Sequence, residues 1–316
     1  MSTAPAFHAG ERALQARAGV QSRMAQIGPL VMRDHMPEQH RTFFTSLPFV
    51  VLGSVDAHGQ PWASMLAGAP GFMGSPEPGQ LTVGAHPLPH DPLASTLRDG
   101  AAIGLLGIQP HTRRRNRMNG LAHLNDSGFT VEVAQSFGNC PKYIQAREPE
   151  WWSDPPAAHL AYEGADLDEA SRAMIRAADT FFIATAHPLW GSSAERRHGV
   201  DVSHRGGTPG FVKVEGNGLT VPDFAGNQFF NTLGNMALHP LAGLLLLDFH
   251  TGDRLYLAAR ASVVWQGVEL VSFEGAQRLL RLEVTHVRRV QGGVPLRWGP
   301  VERSPYLTGL GEWPAV

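Results

Sequence analysis

Apolar residues along this chain occur in short runs separated by turn residues, a pattern typical of antiparallel β proteins. The runs Phe49 to Val55 and Pro61 to Ala67 flank the turn Asp56-Ala57-His58-Gly59, so together they predict a β-hairpin. Further strands are predicted at residues 81–83, 103–108 and 118–124.

Helical spacing of apolar residues is confined to a few segments. It predicts one helix across residues 11–27 and another beginning after Met36, where Pro37 suits the first helical turn. In the second half, residues 168–178 predict a helix that leads into a strand at 181–186. Few helices and many short strands favour an antiparallel barrel in each half.

The order of elements recurs along the chain. Ser64 to Phe72 aligns with Ser203 to Phe211 through a shared Ser and Pro-Gly-Phe, at an offset of 139 residues (203 minus 64). Residues 81–83 match 219–221 at nearly the same offset, and an insertion is predicted near 264–277. The recurrence predicts a tandem repeat of two similar domains.

The predicted domain boundary lies in the Pro- and Trp-rich segment 149–164. The first domain, 1–160, would hold N-terminal helices and a first barrel. The second, 161–316, would hold a second barrel with the main ligand-binding segments. A length of 316 residues with 43% hydrophobic and 17% charged residues suits two compact domains.

Composition excludes several classes of protein. The single cysteine, Cys140, rules out an intrachain disulfide and CxxC-type metal sites. A net charge of −2 gives no general attraction for nucleic acid. No apolar run is long enough to span a bilayer, and the start of the chain lacks a secretory pattern, so we expect a cytoplasmic protein.

Common catalytic motifs are missing from the sequence. It contains no GxGxxG after a strand, no GxxxxGK[ST] and no GxSxG. Asp201, Ser203 and His204 resemble a triad only on paper, since neighbours along a strand point to opposite faces. His86 and His90 are best interpreted as surface histidines of a Pro-rich loop, so no metal site is predicted.

The second half carries a polar segment before two glycines. Ser203, His204 and Arg205 precede Gly206 and Gly207, which would let the backbone approach a ligand. An Arg fork and a Ser hydroxyl suit a phosphate. The alternative is a solvated glycine turn.

Three asparagines follow at intervals of four residues. Asn227, Asn231 and Asn235 would share one face if the segment were helical. Amides at a helix start can hold phosphate or ribityl oxygens. The alternative is that they are capping and turn amides.

The first half instead carries arginines, at 113, 114, 115 and 117. Such a run can be a solvated hairpin tip or a nucleic-acid contact. Because this run and the glycine segment lie in different halves, we expect one site shared between them. Cys140 is a candidate nucleophile or an inert thiol, and Lys142 is a candidate phosphate contact.

Together these segments resemble the pyridoxamine 5′-phosphate oxidase-like family of FMN-binding split barrels, especially its tandem-domain members. The segments that carry the resemblance are 36–41, 61–64, 70–72, 136–144, 201–211 and 226–235, so it extends from about Met36 to Trp298. It implies a mainly β (α+β) fold of two tandem six-stranded antiparallel split β-barrels with flanking helices. FMN would lie in the cleft between the barrels.

The resemblance also implies a set of cofactor-binding residues. These are Ser203, His204, Arg205, Gly206, Gly207, Val212, Pro222, Asp223, Asn227, Gln228, Asn231, Arg115, Arg117 and Lys142. Arg115 and Arg117 would reach the flavin ring, where a cation stabilises the anionic hydroquinone. The oxidase's basic phosphate-binding strand is replaced here by the glycine-rich turn, so pyridoxamine phosphate is not the expected substrate. No catalytic residue is assigned.

The function that follows is an FMN-dependent oxidoreductase acting on a small-molecule substrate or an electron donor such as NAD(P)H. The alternative is a non-catalytic flavin- or haem-binding module. Neither a nucleic-acid nor a membrane partner is predicted. A homodimer is left open, and one flavin site per pair of barrels is expected.

Overall fold

The computed structural model describes residues 5–314, and this part of the chain is mainly β. The strands are β1 (Phe49–Val55), β2 (Pro61–Ala67), β3 (Met73–Gly74), β4 (Gln80–Val83), β5 (Ala101–Gln109), β6 (Arg114–Asn125), β7 (Gly128–Gly138), β8 (Pro149–Trp151), β9 (His159–Gly164), β10 (Thr180–Ala186), β11 (Val200–Gly206), β12 (Lys213–Glu215), β13 (Gly218–Asp223), β14 (Leu241–Leu247), β15 (Arg254–Val264), β16 (Arg278–Gln291) and β17 (Leu296–Trp298). The helices are α1 (Ala9–Arg17), α2 (Gln21–Val31), α3 (Glu38–Thr45), α4 (Leu93–Thr96), α5 (Glu169–Ala177), α6 (Asn231–Leu238) and α7 (Val268–Val271).

Two large antiparallel sheets have the same strand order. The first runs β2-β1-β5-β6-β7-β4-β3, and the second runs β11-β10-β14-β15-β16-β13-β12, with β9 also paired to β16. The mainly β, antiparallel prediction is therefore confirmed. Closure into six-stranded barrels is not seen: within residues 5–314 the sheets have seven and eight strands, and neither ladder closes on itself. The extra strands include β3 and β12, which are too short to give a clear alternating pattern.

Several predicted elements match the structure closely. The hairpin of β1 and β2 has the predicted bounds, and α5 begins after Asp168, whose side chain caps it. The helix predicted across 11–27 is instead two helices, α1 and α2, because Gly19 between them takes a positive φ of 70°. Gly can adopt that conformation without a steric penalty.

Strands β1 and β10, each next to an edge strand of its sheet, are buried on both faces. One hydrophobic core lies within each half, and a third lies between the sheets, where Phe49 and Val51 of β1 meet Phe182 of β10 and Leu245 of β14. All seven residues of β1 and of β10 are buried. This double burial explains why these strands appear in the sequence as continuous apolar runs.

The N-terminal helices and the predicted boundary segment both contact the second sheet. Helix α1 packs against α6, and β9 pairs with β16, while β8 pairs with β17. The division at residue 160 stays a prediction. Among residues 5–314, no helix has the length and apolar character needed to cross a bilayer.

Candidate functional site

A polar cavity of about 90 Å³ lies where β6 of the first sheet meets β11 of the second. The segment that leads from β13 into α6 forms another wall. The predicted residues that line the cavity are Arg115, Arg117, Ser203, His204, Arg205, Asp223, Asn227, Gln228 and Asn231. The structure thus brings together side chains that lie far apart in the sequence.

Arg117 joins the two sheets at the base of the cavity. Its side chain is 7% exposed, and its Nη1 atom donates to Asp201 Oδ1 at 2.8 Å. Its Nη2 atom donates to Ser203, which also contacts Thr232 Oγ1 at 2.9 Å. The arginine run therefore does not form a solvated hairpin tip at this position. Burial raises the pKa of Asp201, and Arg117 opposes that shift.

Side chains alternate between the two faces of a strand, so His204 lies on the opposite face of β11 from Ser203. Arg115 Nη1 lies 3.3 Å from His204 Nδ1, and the imidazole packs edge-on against Phe182. Burial and the nearby Arg115 hold the pKa of His204 well below its usual range, so this imidazole is neutral. Because Arg only donates, Nδ1 must accept and the proton sits on Nε2. Ser203 and His204 contact different partners, as expected for neighbours on a strand.

Arg115 has no carboxylate partner among residues 5–314. Its Nε atom donates to the carbonyl oxygen of Cys140 at 2.8 Å, and Nη2 approaches Cys140 Sγ at 3.6 Å. Burial lowers the pKa of Arg115 to about 10, which leaves the guanidinium charged at neutral pH. The cavity therefore contains a half-buried cation without a neutralising carboxylate among the described residues.

Arg205 and Arg278 share one carboxylate. Arg205 Nη1 donates to Asp223 Oδ1 at 2.6 Å, and Arg278 Nε donates to Asp223 Oδ2 at 2.7 Å. Four guanidiniums, including those of Arg115 and Arg117, thus face two carboxylates. The site has an excess of positive charge, which favours an anion.

Three buried donors of the cavity lining are unpartnered within the described part of the chain. They are Nε of Arg117, Nε of Arg205 and Nδ2 of Asn139. Leaving a buried donor unsatisfied costs about 1–3 kcal/mol. An oxygen-rich anion would remove this cost, because each of its oxygens can accept several hydrogen bonds.

Other predicted residues lie beside this cavity rather than in it. Lys142, Gly206 and Pro222 line an adjoining cavity of about 50 Å³, and Gly207 and Val212 line neither. Val212 is part of the core of the second sheet.

The two glycines are explained by packing against protein. A Cβ atom at Gly206 would lie 2.0 Å from the carbonyl oxygen of Tyr143, and one at Gly207 would lie 2.3 Å from the ring of Phe211. The backbone at these two glycines therefore lies against other parts of the chain. The segment is neither a solvated turn nor a backbone surface left open to a ligand alone.

Only part of the asparagine series is helical. Asn231 begins α6, whereas Asn227 precedes a stretch in which Gln228 and Phe230 take positive φ values of 64° and 63°. Asn227 Nδ2 donates to Asn139 Oδ1 at 3.0 Å, which links the two walls of the cavity. Asn235 turns away and donates to Thr185 at 3.2 Å.

Sequence reasoning missed several residues of the site. Arg278, Thr232 and the apolar residues Phe224, Phe230 and Leu233 all line the cavity. Arg278 is the first residue of β16, the strand after the predicted insertion. Its membership of the site follows only from its ion pair with Asp223, which the sequence does not show. No group of three or more His, Cys, Asp or Glu side chains is arranged to hold a metal within residues 5–314.

Comparison with known proteins gives weak likenesses. No protein-family model and no curated protein matches the chain. Among solved structures, a HupZ variant from Group A Streptococcus is 7% identical, with a TM-score of 0.30, and the match covers 39% of this chain and 98% of that one. A candidate pyridoxamine 5′-phosphate oxidase from Lactobacillus delbrueckii is 16% identical, with a TM-score of 0.29 and coverage of 39% and 93%. HutZ, the haem storage protein from Vibrio cholerae, is 14% identical, with a TM-score of 0.27 and coverage of 40% and 94%.

Proposed function

We propose that the cavity between β6 and β11 binds FMN and that the protein is an FMN-dependent oxidoreductase acting on a small molecule. The observation that carries this proposal is the excess of buried and half-buried positive charge together with three unpartnered donors. A phosphate is the biological group that satisfies both features, because it brings negative charge and several acceptor oxygens.

The residues present fit a phosphate-bearing cofactor. Arg115, Arg205 and Asn139 would hold the phosphate, and the walls formed by Phe224 and Phe230 would contact apolar parts of the ligand. The cavity of about 90 Å³ has room for the phosphate, so the rest of the cofactor would occupy the open mouth. When bound, FMN would supply the electron-transfer chemistry. The protein would fix the cofactor's position, and its buried cations would favour added negative charge.

Haem binding is the alternative, and the contacts of His204 weigh against it. His204 is the histidine that lines the cavity. Iron ligation requires a ring nitrogen without a proton. Arg115 holds Nδ1 as an acceptor, which leaves Nε2 protonated. His204 would have to lose the Arg115 contact to bind iron through Nδ1, and would also have to change tautomer to bind it through Nε2.

The first test compares FMN with riboflavin, which lacks the phosphate. We expect the wild-type protein to quench FMN fluorescence at micromolar concentrations and to bind riboflavin much more weakly. Replacing Arg115 or Arg205 with Ala should weaken FMN binding by roughly 10- to 100-fold, since each removes a charge-assisted hydrogen bond. Asp223 keeps Arg278 as a partner in the Arg205→Ala variant, so that variant should fold.

Arg176→Ala is the matched control, because Arg176 is exposed on α5 and pairs only with Glu169. Its FMN affinity should equal that of the wild type. Equal affinity for FMN and riboflavin, or unchanged FMN affinity in both site variants, would contradict the proposed phosphate site. A Soret band in the purified protein would favour haem. Anaerobic reduction of bound FMN by NADH or NADPH then separates an enzyme from a passive flavin binder.

A further inference from the structure

A second cavity, of about 200 Å³, adjoins the charged one and has a different chemical character. Aromatic and aliphatic side chains form part of its walls, and the segment from Thr208 to Gly210 adds polar groups. The aromatic and aliphatic side chains include Phe211, Phe224, Phe273, Leu307, Leu310 and Trp313. Phe224 also lines the charged cavity, and both Phe211 and Phe224 line the small cavity beside it. Phe224 therefore separates the charged cavity from this one.

The segment 310–313 forms one wall of this second cavity through defined contacts. The indole Nε1 of Trp313 donates to the carbonyl oxygen of Phe211 at 2.8 Å, and its ring lies 4.8 Å from that of Phe273. Gly311 donates to the carbonyl oxygen of Glu274 at 2.9 Å. A Cβ atom at Gly311 would lie 2.5 Å from the Glu274 nitrogen, so the segment fits closely against its neighbours.

The size and lining of the cavity limit the ligand. Apolar cavities of about 150 Å³ bind benzene, so a cavity of about 200 Å³ has room for one ring with a small substituent. Lys and Arg are absent from its lining, and the ionisable side chain that lines it, Glu312, is exposed. The lining itself therefore offers an anion no positive charge, although Lys213 Nζ lies 5.9 Å from the centroid of the Trp313 ring, behind the wall. We propose that this cavity binds a neutral molecule with a single aromatic ring.

This site is independent of the proposed flavin site. Its walls do not include Arg115, Arg205 or Asn139, so aromatic binding does not require FMN. If FMN occupies the charged cavity, the shared Phe224 would bring an aromatic ligand close to the cofactor. The aromatic molecule would then be a candidate for the small-molecule substrate.

The test uses benzyl alcohol as the probe, with binding followed by saturation-transfer NMR on the full chain, both with and without FMN. The wild type should show saturable one-site binding that cyclohexylmethanol matches only weakly. Leu310→Trp should fill the cavity and reduce affinity at least tenfold. Leu189→Trp, at an exposed position outside the cavity lining, is the control and should bind like the wild type.

A second variant keeps the test decisive if Leu310→Trp fails to fold. Phe273→Ala enlarges the cavity and should shift preference toward a two-ring probe, 2-naphthalenemethanol. The proposal is wrong if benzyl alcohol shows no saturable binding to the wild type, or if neither cavity variant changes the affinity. Retention of benzyl alcohol binding in Arg205→Ala would show that the aromatic site stands even if the flavin proposal fails.

Discussion

At the scale of single residues, the site consists of charges that are buried before any ligand is added. Removing a charged group from water is costly unless it finds partners. Arg117 has Asp201, and Arg205 has Asp223, but within residues 5–314 Arg115 has only two carbonyl oxygens, a thiol and an imidazole. This imbalance is the feature that most directly indicates an anionic ligand.

Glu11, at the start of α1, is the carboxyl whose titration should be visible in stability. It is buried, it accepts from the backbone nitrogen of His8 at 2.7 Å, and it contacts Asn231. Burial raises the pKa of Glu11 to about 8. The folded protein therefore keeps this proton between pH 4.5 and 8, while the unfolded chain loses it. The free energy of unfolding should fall as pH rises through this window, by at most about 1.4 kcal/mol per pH unit.

Burial has the opposite consequence for nearby histidines. It lowers the pKa of His8 to about 3 and that of His187 to about 4. Their contribution to stability is lost as pH falls below the ordinary value of 6.5. Between pH 6.5 and 8, Glu11 therefore changes the free energy of unfolding while these two histidines do not.

Urea unfolding of Glu11→Gln at pH 6.5 and pH 8 isolates the Glu11 effect. Gln keeps the capping hydrogen bond at this helix position and removes the titration, so the decrease in stability should disappear. Glu38→Gln, at an exposed site in α3, should retain it. A wild-type stability that is flat across this window would disprove the buried protonated carboxyl.

At the scale of elements, the two sheets pack with their backbones in close contact at two glycines. Strand β5 crosses β11 at Gly104, where a Cβ atom would lie 2.6 Å from the carbonyl oxygen of Val200. Strand β14 crosses β2 at Gly243, where a Cβ atom would lie 2.1 Å from the carbonyl oxygen of Pro61. The glycines are 139 residues apart (243 minus 104), which is the offset of the sequence repeat. The cavity between the sheets depends on this close approach of the two backbones.

Gly243→Val should therefore destabilise the protein severely. The added side chain would force β14 away from β2, and overpacking of this kind costs about 1–3 kcal/mol or more. Chemical denaturation measures the loss. Gly191→Ala is the control, because a Cβ atom at Gly191 meets nothing within 4 Å. Equal stability of the two variants would mean that the sheets are not in backbone contact.

At the scale of the whole molecule, we expect two sheets of one topology to give one site rather than two. Tyr256 pairs with Leu245 as Arg117 pairs with Leu106, so Tyr256 holds the position in the second sheet that Arg117 holds in the first. Its hydroxyl donates to Asp91 Oδ2 at 2.7 Å. The second sheet therefore has a phenol at the position where the first sheet has the guanidinium of Arg117.

We expect one phosphate-bearing ligand per chain. Titration of a known concentration of protein with FMN should break at one equivalent, and Arg205→Ala should remove that break without revealing another. A break at two equivalents would indicate that the position around Asp91 opens. Loss of all binding in the wild type would instead count against the flavin proposal.

The sequence by itself determined many of the local elements and singled out residues that line the cavity. The hairpin β1–β2 follows from two apolar runs around a turn, and the residues of β11 were singled out because Ser, His and Arg precede two glycines. These are short-range patterns, which depend on residues close together along the chain.

Only the tertiary structure decided what those residues contact. From the sequence, the arginine run could equally have been the solvated tip of a hairpin. Arg117 does not lie at such a tip, because it is buried against Asp201 of the other sheet. The glycine pair serves chain packing, and Arg278 joins the site from a distant strand. Such pairings join residues far apart in sequence, so no local pattern encodes them. The charge balance of the site therefore exists only in the folded chain.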